Sequence, residues 1–587
     1  MNGYEPLIGI DSAQRALASI RLVNNIEQRR LFYVRAKHEG FYILLAAPAV
    51  MLLLLFFVIP LVRMVDASFG GDEFTTRLYE RALTNEFTRR MFRTTFELAG
   101  VTTLGCILLG YPVAYYLATR AGRWRALVLI LVILPFVTST IASIFSWRVT
   151  LGRTGPVNDA LQLLWFVDEP LELMFNRFPV NVSMLHTFLP FMVLPLFAVM
   201  RGIPRSMPAV AESLGATPFQ SFRRIFLPLS MPGLWAGSVL VFILSAGHFI
   251  APLVVGGIRE RGIATALAGG TGNFTAALAM LLLAAIVVIY LVFSRLVGFG
   301  AIYSAGEALM RSSPIEVVKQ PPRRVPLSII VGLVSFFMIL PSLIVIPLSV
   351  NKSSFIIFPP KEYSLKWIKN FFTTSPLSPV DWIESTITSL EIAFIVVALA
   401  VPLGGLVAYG LVRGRFPGKG LLSSFLILPL IVPSTLTALA LFYFYSLNMR
   451  VLIGTVLGIA LPHTVLALPF VVIILAATMR SVDEVHEQAA MSLGAGRVTV
   501  LRRIVLPQVI PGIVVAAFFA FLISFYEVVV TIFLKDPYLR TLPINLWSGV
   551  TVDFAPMMAA VSTLLLIFAI FIIAGLTFFQ KRLNRGT

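Results

Sequence analysis

The sequence contains few of the residues from which soluble catalytic and metal sites are built. Only 13% of its 587 residues are charged, and it has one cysteine and five histidines. The lone cysteine, Cys106, excludes internal disulfides and cysteine-based metal clusters. No Gly-x-x-x-x-Gly-Lys-Ser/Thr loop is present to bind nucleotide phosphates, and the scattered histidines form no convergent nucleophile, base or metal set. These absences argue against an enzyme and against an ATP-hydrolysing motor.

Apolar residues are abundant instead. They make up 58% of the chain, and the mean hydropathy is +0.90. Runs of roughly 20 apolar residues, enough to cross about 30 Å of hydrocarbon, recur throughout. The sequence therefore predicts an all-α integral membrane protein with twelve transmembrane helices. The predicted spans lie near residues 41–62, 92–119, 127–150, 184–200, 234–256, 275–298, 326–350, 385–412, 421–446, 452–479, 510–534 and 556–578.

The basic residues flank these spans, so the net charge of +18 does not indicate a nucleic-acid partner. Arginine or lysine follows every even-numbered span, and the positive-inside rule then places both termini in the cytoplasm. Segment 63–91 is an exception, with arginines on the predicted outer side that nearby acidic residues offset. A polar and basic segment, 1–40, precedes the first span, unlike a cleaved signal peptide, so we expect that span to be retained.

The chain repeats itself at two offsets. Val113-Ala114-Tyr115 matches Val407-Ala408-Tyr409, which defines the first offset, and Ser213-Leu-Gly-Ala216 matches Ser492-Leu-Gly-Ala495, which defines the second. The second offset is shorter, so the first half has extra residues, which we expect within 151–183. Because six spans separate equivalent points, the halves share one orientation and are parallel repeats. The predicted organisation is a cytoplasmic segment 1–40, a first domain 41–305, a linker 306–325 and a second domain 326–580.

One pair of repeated segments follows the fourth and tenth spans. In each, a glycine precedes the proline of an Ile-x-Leu-Pro tetrad at the same spacing, Gly215 before Pro228 and Gly494 before Pro507. We expect a short helix that ends at the glycine with positive φ, then a second helix with paired arginines that the proline ends. Such a hairpin suits docking into another protein. An interfacial helix held by lipid is the alternative, and two copies at equal spacing favour docking.

These segments resemble the cytoplasmic coupling loop, or EAA loop, of permease subunits in binding-protein-dependent ABC importers. The glycine, the Ile-x-Leu-Pro tetrad and the following Pro-Gly match in both copies. The family's glutamate, six residues before the glycine, is Ala209 in one copy and Gln488 in the other, and Glu212 or Glu487 is a candidate substitute. The residues expected to contact the ATPases are Ala211, Glu212, Leu214, Gly215, Arg223, Arg224, Leu227, Pro228, Glu487, Gln488, Ala489, Ala490, Leu493, Gly494, Arg502, Arg503, Leu506 and Pro507.

The resemblance implies two parallel six-helix repeats of the ABC type I importer permease fold, in a bacterial inner membrane. It also implies two separate ABC ATPase subunits that use ATP and Mg, and an extracytoplasmic solute-binding protein. The chain itself would bind no cofactor. Two subunits that are usually separate look fused here.

The chain looks most similar to the polyamine and opine branch of these permeases. Ser524–Leu534 and Arg540–Ser548 carry this resemblance in the second half, and Leu109–Tyr115 in the first. An intramembrane ionisable group is a pathway candidate because a charge there is costly unless it is paired or wetted. The candidates for a cationic solute are Glu97, Glu391, His248, Tyr526 and Glu527.

Other interpretations stay open on the sequence alone. Each pathway candidate can instead form a structural hydrogen bond between helices or, for Tyr526, simple packing. A ferric-ion permease of the same superfamily would have the same coupling loops. A major-facilitator transporter also has twelve spans in two parallel halves, but it lacks paired Gly-to-Leu-Pro loops.

Overall fold

A computed structural model describes residues 39–71, 73–120, 122–204, 206–297, 325–373, 380–553 and 555–583. Within those ranges the chain is helical, and its only bridge pairing joins Asn351 to Tyr363. Nearly all of the predicted segment 1–40 and of the linker 306–325 lies outside the described residues, as do Arg205 and the four C-terminal residues.

The helices of the first half include five long apolar ones joined by shorter elements. They are α1 (Glu39–Ser68), α2 (Arg77–Thr84), α3 (Glu86–Thr119), α4 (Arg125–Val137), α5 (Thr140–Thr150), α6 (Pro156–Leu163), α7 (Arg177–Arg201), α8 (Ser206–Ser213), α9 (Pro218–Ala246), α10 (Ile250–Val254), α11 (Ile263–Ala268) and α12 (Asn273–Val297).

The second half repeats this order, without a counterpart of α6. Its helices are α13 (Val325–Ser349), α14 (Lys366–Phe372), α15 (Trp382–Arg413), α16 (Lys419–Ile431), α17 (Ser434–Asn448), α18 (Val456–Arg480), α19 (Glu484–Ser492), α20 (Arg497–Phe525), α21 (Val529–Leu534), α22 (Leu542–Ser548) and α23 (Met557–Leu583).

Nine helices of the described residues are long and apolar enough to cross a membrane. Two further pairs, α4 with α5 and α16 with α17, pass that test together but are bent by 100° and 95°. Counting each pair as one span gives eleven. The apolar stretch Met557–Ile572 of α23 is shorter than the length required of a candidate span, so it is not counted among these. The multi-span helical fold is confirmed, and the count of twelve stays a prediction.

The helix ends confirm the internal repeat. The end of α3, both ends of α4 and the start of α5 recur at the first offset, in α15, α16 and α17. Both ends of α7 and α9 recur at the second offset, in α18 and α20. The extra residues of the first half lie between α5 and α7, where prediction put them. There Asn158, which is buried, donates to the carbonyls of Gly152 and Leu171 and accepts from the Leu171 amide at 2.8 Å, which holds the loop around α6.

Four predicted spans are broken, which corrects their assignment as single helices. Spans 127–150 and 421–446 bend where Thr138 and Val432 adopt extended backbone after Pro135 and Pro429. Spans 234–256 and 510–534 are interrupted between α9 and α10 and between α20 and α21. Hydropathy does not register such breaks, because each holds only a few polar or glycine residues, such as Thr138-Ser139 and Gly247-His248, within a segment that is apolar on both sides.

The first helix of each half also packs on the other half. Helix α1 contacts α12 of its own half and α17 and α18 of the second half. Helix α13 contacts α23 of its own half and α3, α4 and α5 of the first half. Each of the two buried apolar cores therefore draws residues from both repeats, so the halves form one packed unit.

Candidate functional site

The first repeated hairpin is built on the glycine turn that ends α8. Gly215 has φ +91°, a left-handed conformation that residues with a Cβ rarely adopt. The Ala216 amide donates to the Ala211 carbonyl at 3.0 Å, and the Gly215 amide donates to the Glu212 carbonyl at 3.1 Å. These two bonds make a Schellman motif, which satisfies the last carbonyls of the helix.

The second hairpin has the same turn at the end of α19. Gly494 has φ +87°, the Ala495 amide donates to Ala490 at 3.0 Å, and the Gly494 amide donates to Met491 at 3.0 Å. The predicted positive φ is confirmed in both copies. No atom lies within 4 Å of a Cβ built on either glycine, so backbone conformation and not space requires glycine here.

The second arm of each hairpin does not end at its proline, and that prediction was wrong. Helices α9 and α20 run through Pro228 and Pro507 into the following span. In each, a π-helical turn lies just before the Leu-Pro pair, at Phe222–Phe226 and Leu501–Val505. Proline lacks an amide hydrogen and crowds the carbonyl four residues earlier, and the widened turn changes the local bonding so that the helix continues.

Each hairpin tip presents apolar side chains to the outside of the chain. Leu214 and Leu493, at the turns, are 84% and 89% exposed. Phe219 and Val498, at equivalent positions in the second arms, are 69% and 73% exposed. Isolated exposed apolar residues are ordinary, but equivalent pairs at two repeated tips indicate an interaction surface. The sequence analysis missed Phe219 and Val498, although the second offset of the repeat relates them and was available as a signal.

The other predicted coupling residues divide into exposed and partly covered groups. The exposed ones are Glu212, Arg223, Arg224, Pro228, Gln488, Ala489, Arg502, Arg503, Leu506 and Pro507. The half-buried ones are Ala211, Leu227 and Ala490.

Glu487 stands apart because its carboxylate faces inward. Its side chain is 6% exposed and pairs with Arg413, whose side chain is 7% exposed, at 2.7 Å. Its other oxygen accepts a hydrogen bond from the Tyr409 hydroxyl at 3.1 Å. Of the two glutamates considered as substitutes for the family's residue, only Glu212 has an exposed side chain.

The carboxylates Glu97 and Glu391 occupy equivalent exposed positions on α3 and α15. Glu97 pairs with Arg177, at the start of α7, at 2.8 Å, and the side chains of Arg177 and Glu97 are 57% and 42% exposed. The prediction that these residues face the solute stays open, since the ion pair also serves to join two helix ends.

The remaining pathway candidates sit at the breaks of α9–α10 and α20–α21. Glu527, which precedes the first residues of α21, accepts a hydrogen bond from the Val530 amide in the first turn of that helix at 3.0 Å and places a carboxyl group in the break. Tyr526 packs its ring on Phe525 at 5.4 Å. His248, the equivalent of Glu527, packs edge-on against Phe188 at 5.3 Å.

The surroundings of these two breaks differ. His248 lines a small cavity with Met184, Ser245 and Pro252, among others, and none of the other four pathway candidates lines it. The equivalents of those three neighbours form a hydrogen-bonded cluster in the second half, where His463 lies 3.1 Å from Ser524 and 3.3 Å from Thr531. The repeat is therefore close in backbone and divergent in polar side chains at the breaks.

Comparisons with known proteins agree with this architecture. A family described as "Binding-protein-dependent transport system inner membrane component" matches twice, over residues 106–302 and 400–586. The Spermidine/putrescine transport system permease protein PotB of Escherichia coli (strain K12) is 34% identical over 195 residues, covering 33% of this chain and 70% of that protein. From the same organism, the Inner membrane ABC transporter permease protein YdcU is 30% identical over 283 residues, covering 44% of this chain and 90% of that protein.

Among solved structures, the crystal structure of a bacterial ABC transporter involved in the import of the acidic polysaccharide alginate aligns with 20% identity and a TM-score of 0.37. That alignment covers 47% of this chain and 98% of the other. A superposition at this level is too weak to support a conclusion about this chain. The two family matches, one on each repeat, confirm two fused copies in one polypeptide.

Proposed function

Because this chain belongs to the family of binding-protein-dependent transport system inner membrane components, we propose that it forms the pathway through which an ATP-driven importer takes up a polyamine or related small cation. The chain is a multi-pass inner membrane protein and the permease of an ABC importer. Family membership also separates it from major-facilitator transporters.

The proposed coupling rests on the twin hairpins. Each has the same glycine turn, a pair of exposed apolar residues at equivalent positions of its tip and the same paired arginines beyond it. Two similar hairpins suit two identical ATPase subunits, each with a cleft that binds one hairpin. ATP and Mg belong to those subunits. When ATP draws the subunits together, the hairpins and the spans attached to them follow, and the outer face opens to a loaded solute-binding protein.

The proposed solute rests on the named relatives. Curated relatives of this chain are spermidine/putrescine permeases, which favours a polyamine over ferric ion. Glu527 at a break between helices, with Glu97 and Glu391 on α3 and α15, supplies carboxylates of the sign that a polyamine requires. With both hairpins on the inner side, both termini are cytoplasmic, in accord with the basic residues that flank the spans.

The test begins with the intact complex. Purification of the chain from its native membrane should recover two copies of an ABC ATPase, and its binding protein can be identified by the same route. The complex is then reconstituted in proteoliposomes with ATP inside. We expect uptake of labelled spermidine or putrescine that needs both the binding protein and ATP hydrolysis, with no uptake of ferric ion. Uptake that persists without the ATPase, driven by an ion gradient, would refute the proposal.

A further inference from the structure

The two hairpins are fastened to their spans in different ways, and we infer that Arg413 is the positioning residue of the second one. Its buried guanidinium ties α19, the first arm of that hairpin, to the cytoplasmic end of α15. Span and arm then move as one rigid lever when an ATPase moves the hairpin. That the two helices move together with an ATPase rests on the proposed function. That Arg413 joins α15 rigidly to α19 does not.

The contacts of Arg413 define a clamp, by which we mean Arg413, Tyr409, Val482 and Glu487. The Arg413 Nε donates to the Glu487 carboxylate at 2.8 Å and its Nη2 to the Val482 carbonyl at 2.8 Å. Tyr409, one turn earlier on α15, donates to the same carboxylate. A fork-shaped guanidinium with several partners fixes orientation as well as distance. Glu484, half-exposed, adds a looser contact at 3.5 Å.

In the first hairpin, the two positions equivalent to the charged pair of the clamp carry no charge. By the two offsets of the repeat, Arg413 corresponds to Thr119 and Glu487 to Pro208, neither of which carries a charge. No described residue of α8 is buried, whereas Glu487 is buried in α19. Helix α8 packs on the second arm of its own hairpin, where the Ser221 hydroxyl donates to the Pro208 carbonyl at 3.3 Å.

The first half fastens its other arm instead. Tyr115, the equivalent of Tyr409, packs edge-on against Phe222 and Phe226 at 5.7 and 5.0 Å. Both rings lie in the π-helical turn of α9, where the second half has Leu501 and Val505. The span of the first half thus holds the second arm by aromatic packing. The span of the second half holds the first arm by charge.

The position of the clamp suits force transmission. Both charged side chains are almost fully removed from solvent, so the pair is little screened by salt and neither partner can find water if the other moves away. Movement of α19 therefore displaces α15 directly. In the first half, α8 contacts the second arm of its own hairpin and has no buried residue, so we expect its movement to be coupled less tightly to α3.

Hydrogen exchange of the full chain in nanodiscs tests the rigidity without any partner. We expect amides of α19 to exchange at least about tenfold more slowly than those of α8. The double variant R413M/E487L, which removes both charges and keeps apolar volume, should bring α19 to within about threefold of α8. Equal exchange of the two helices in the unaltered chain, or slow exchange of α19 in the variant, would overturn the inference.

Transport in the reconstituted complex tests the mechanical role. For R413M/E487L we expect ATP hydrolysis to continue while the solute imported per ATP falls at least about fivefold. The matched control is K352Q/E362Q, which removes the exposed ion pair Lys352–Glu362 far along the sequence from both hairpins and should leave the ratio unchanged. An unchanged ratio in R413M/E487L, or an equal loss in the control, would count against the clamp.

Failure of the proposed function gives a different result. In that case the unaltered complex shows no ATP-dependent uptake, yet the exchange difference between α8 and α19 persists.

Tyr409→Phe gives a graded check, because it removes one hydrogen bond and leaves the ion pair. In this variant the amides of α19 should exchange at a rate between those of the unaltered chain and of R413M/E487L. A larger effect than that of R413M/E487L would show that Arg413 is not the main residue that holds α19.

Discussion

The glycine turns of the hairpins yield the sharpest prediction. Gly215 and Gly494 have φ of +91° and +87°, and a Cβ on either would meet no atom within 4 Å. A residue with a Cβ therefore costs only backbone strain here, about 1–2 kcal/mol per site. Valine, which is β-branched, incurs this strain, whereas asparagine adds comparable bulk and tolerates the left-handed region. The two substitutions isolate conformation from size.

We expect G215V/G494V to weaken binding of the ATPase subunits and G215N/G494N to leave it nearly intact. If each subunit receives one hairpin, the strain lowers each affinity by about 5- to 30-fold. Binding is measured on the permease in nanodiscs, with its melting temperature as a control that the spans are unaffected. Equal affinity for the valine and asparagine variants would refute the reasoning, because it would show that the turns need not form for docking.

Three further predictions concern burial. Glu487→Gln leaves its guanidinium partner unpaired in a buried site and should destabilise the permease by about 3–5 kcal/mol, seen as a lower melting temperature in detergent. Leu214→Ser and Leu493→Ser should each weaken ATPase binding by about 10- to 150-fold, since burying a leucine on docking contributes about 1.5–3 kcal/mol, and neither should change the melting temperature. Gly512→Ala places a Cβ against α18 and should lower the stability of the permease by about 1–3 kcal/mol, seen as a lower yield of folded protein. At Gly420 an added Cβ meets no atom within 4 Å, so Gly420→Ala should leave the yield unchanged.

The repeat and the hairpins could be predicted because short stretches of neighbouring residues determine them. Short identical stretches defined both offsets, and each glycine followed by a Leu-Pro pair indicated a turn and a second arm. The continuation of that arm through Pro228 and Pro507 could not be anticipated in this way. A proline ordinarily ends or kinks a helix, and the π-helical turn that avoids this depends on the bonding of the folded helix.

The breaks in the spans were missed for a related reason. Hydropathy reports an average over a long segment, and the few polar residues at the bends, Thr138-Ser139-Thr140 and Ser434-Thr435, do not lower that average enough to mark a break. The clamp lay beyond sequence reasoning altogether. Arg413 and Glu487 are far apart along the chain, and nothing in their local patterns indicates that they meet. The sequence interpretation had placed Glu487 outward, toward a partner protein.

The differences between the halves bear on how one fused chain would meet the two ATPase subunits of the proposed complex. The hairpin tips match, with leucine at the turn and an apolar residue five positions later in both copies. The contacts that join each hairpin to its span do not match. In the second half they include the buried ion pair of Arg413 with Glu487, and in the first half the aromatic packing of Tyr115 on Phe226. If the two ATPase subunits are identical, as the proposed function implies, only the hairpin tips that contact them need to present similar surfaces. The interior of each half is then free to differ, so under that proposal the same displacement of both tips would reach the two halves through different contacts.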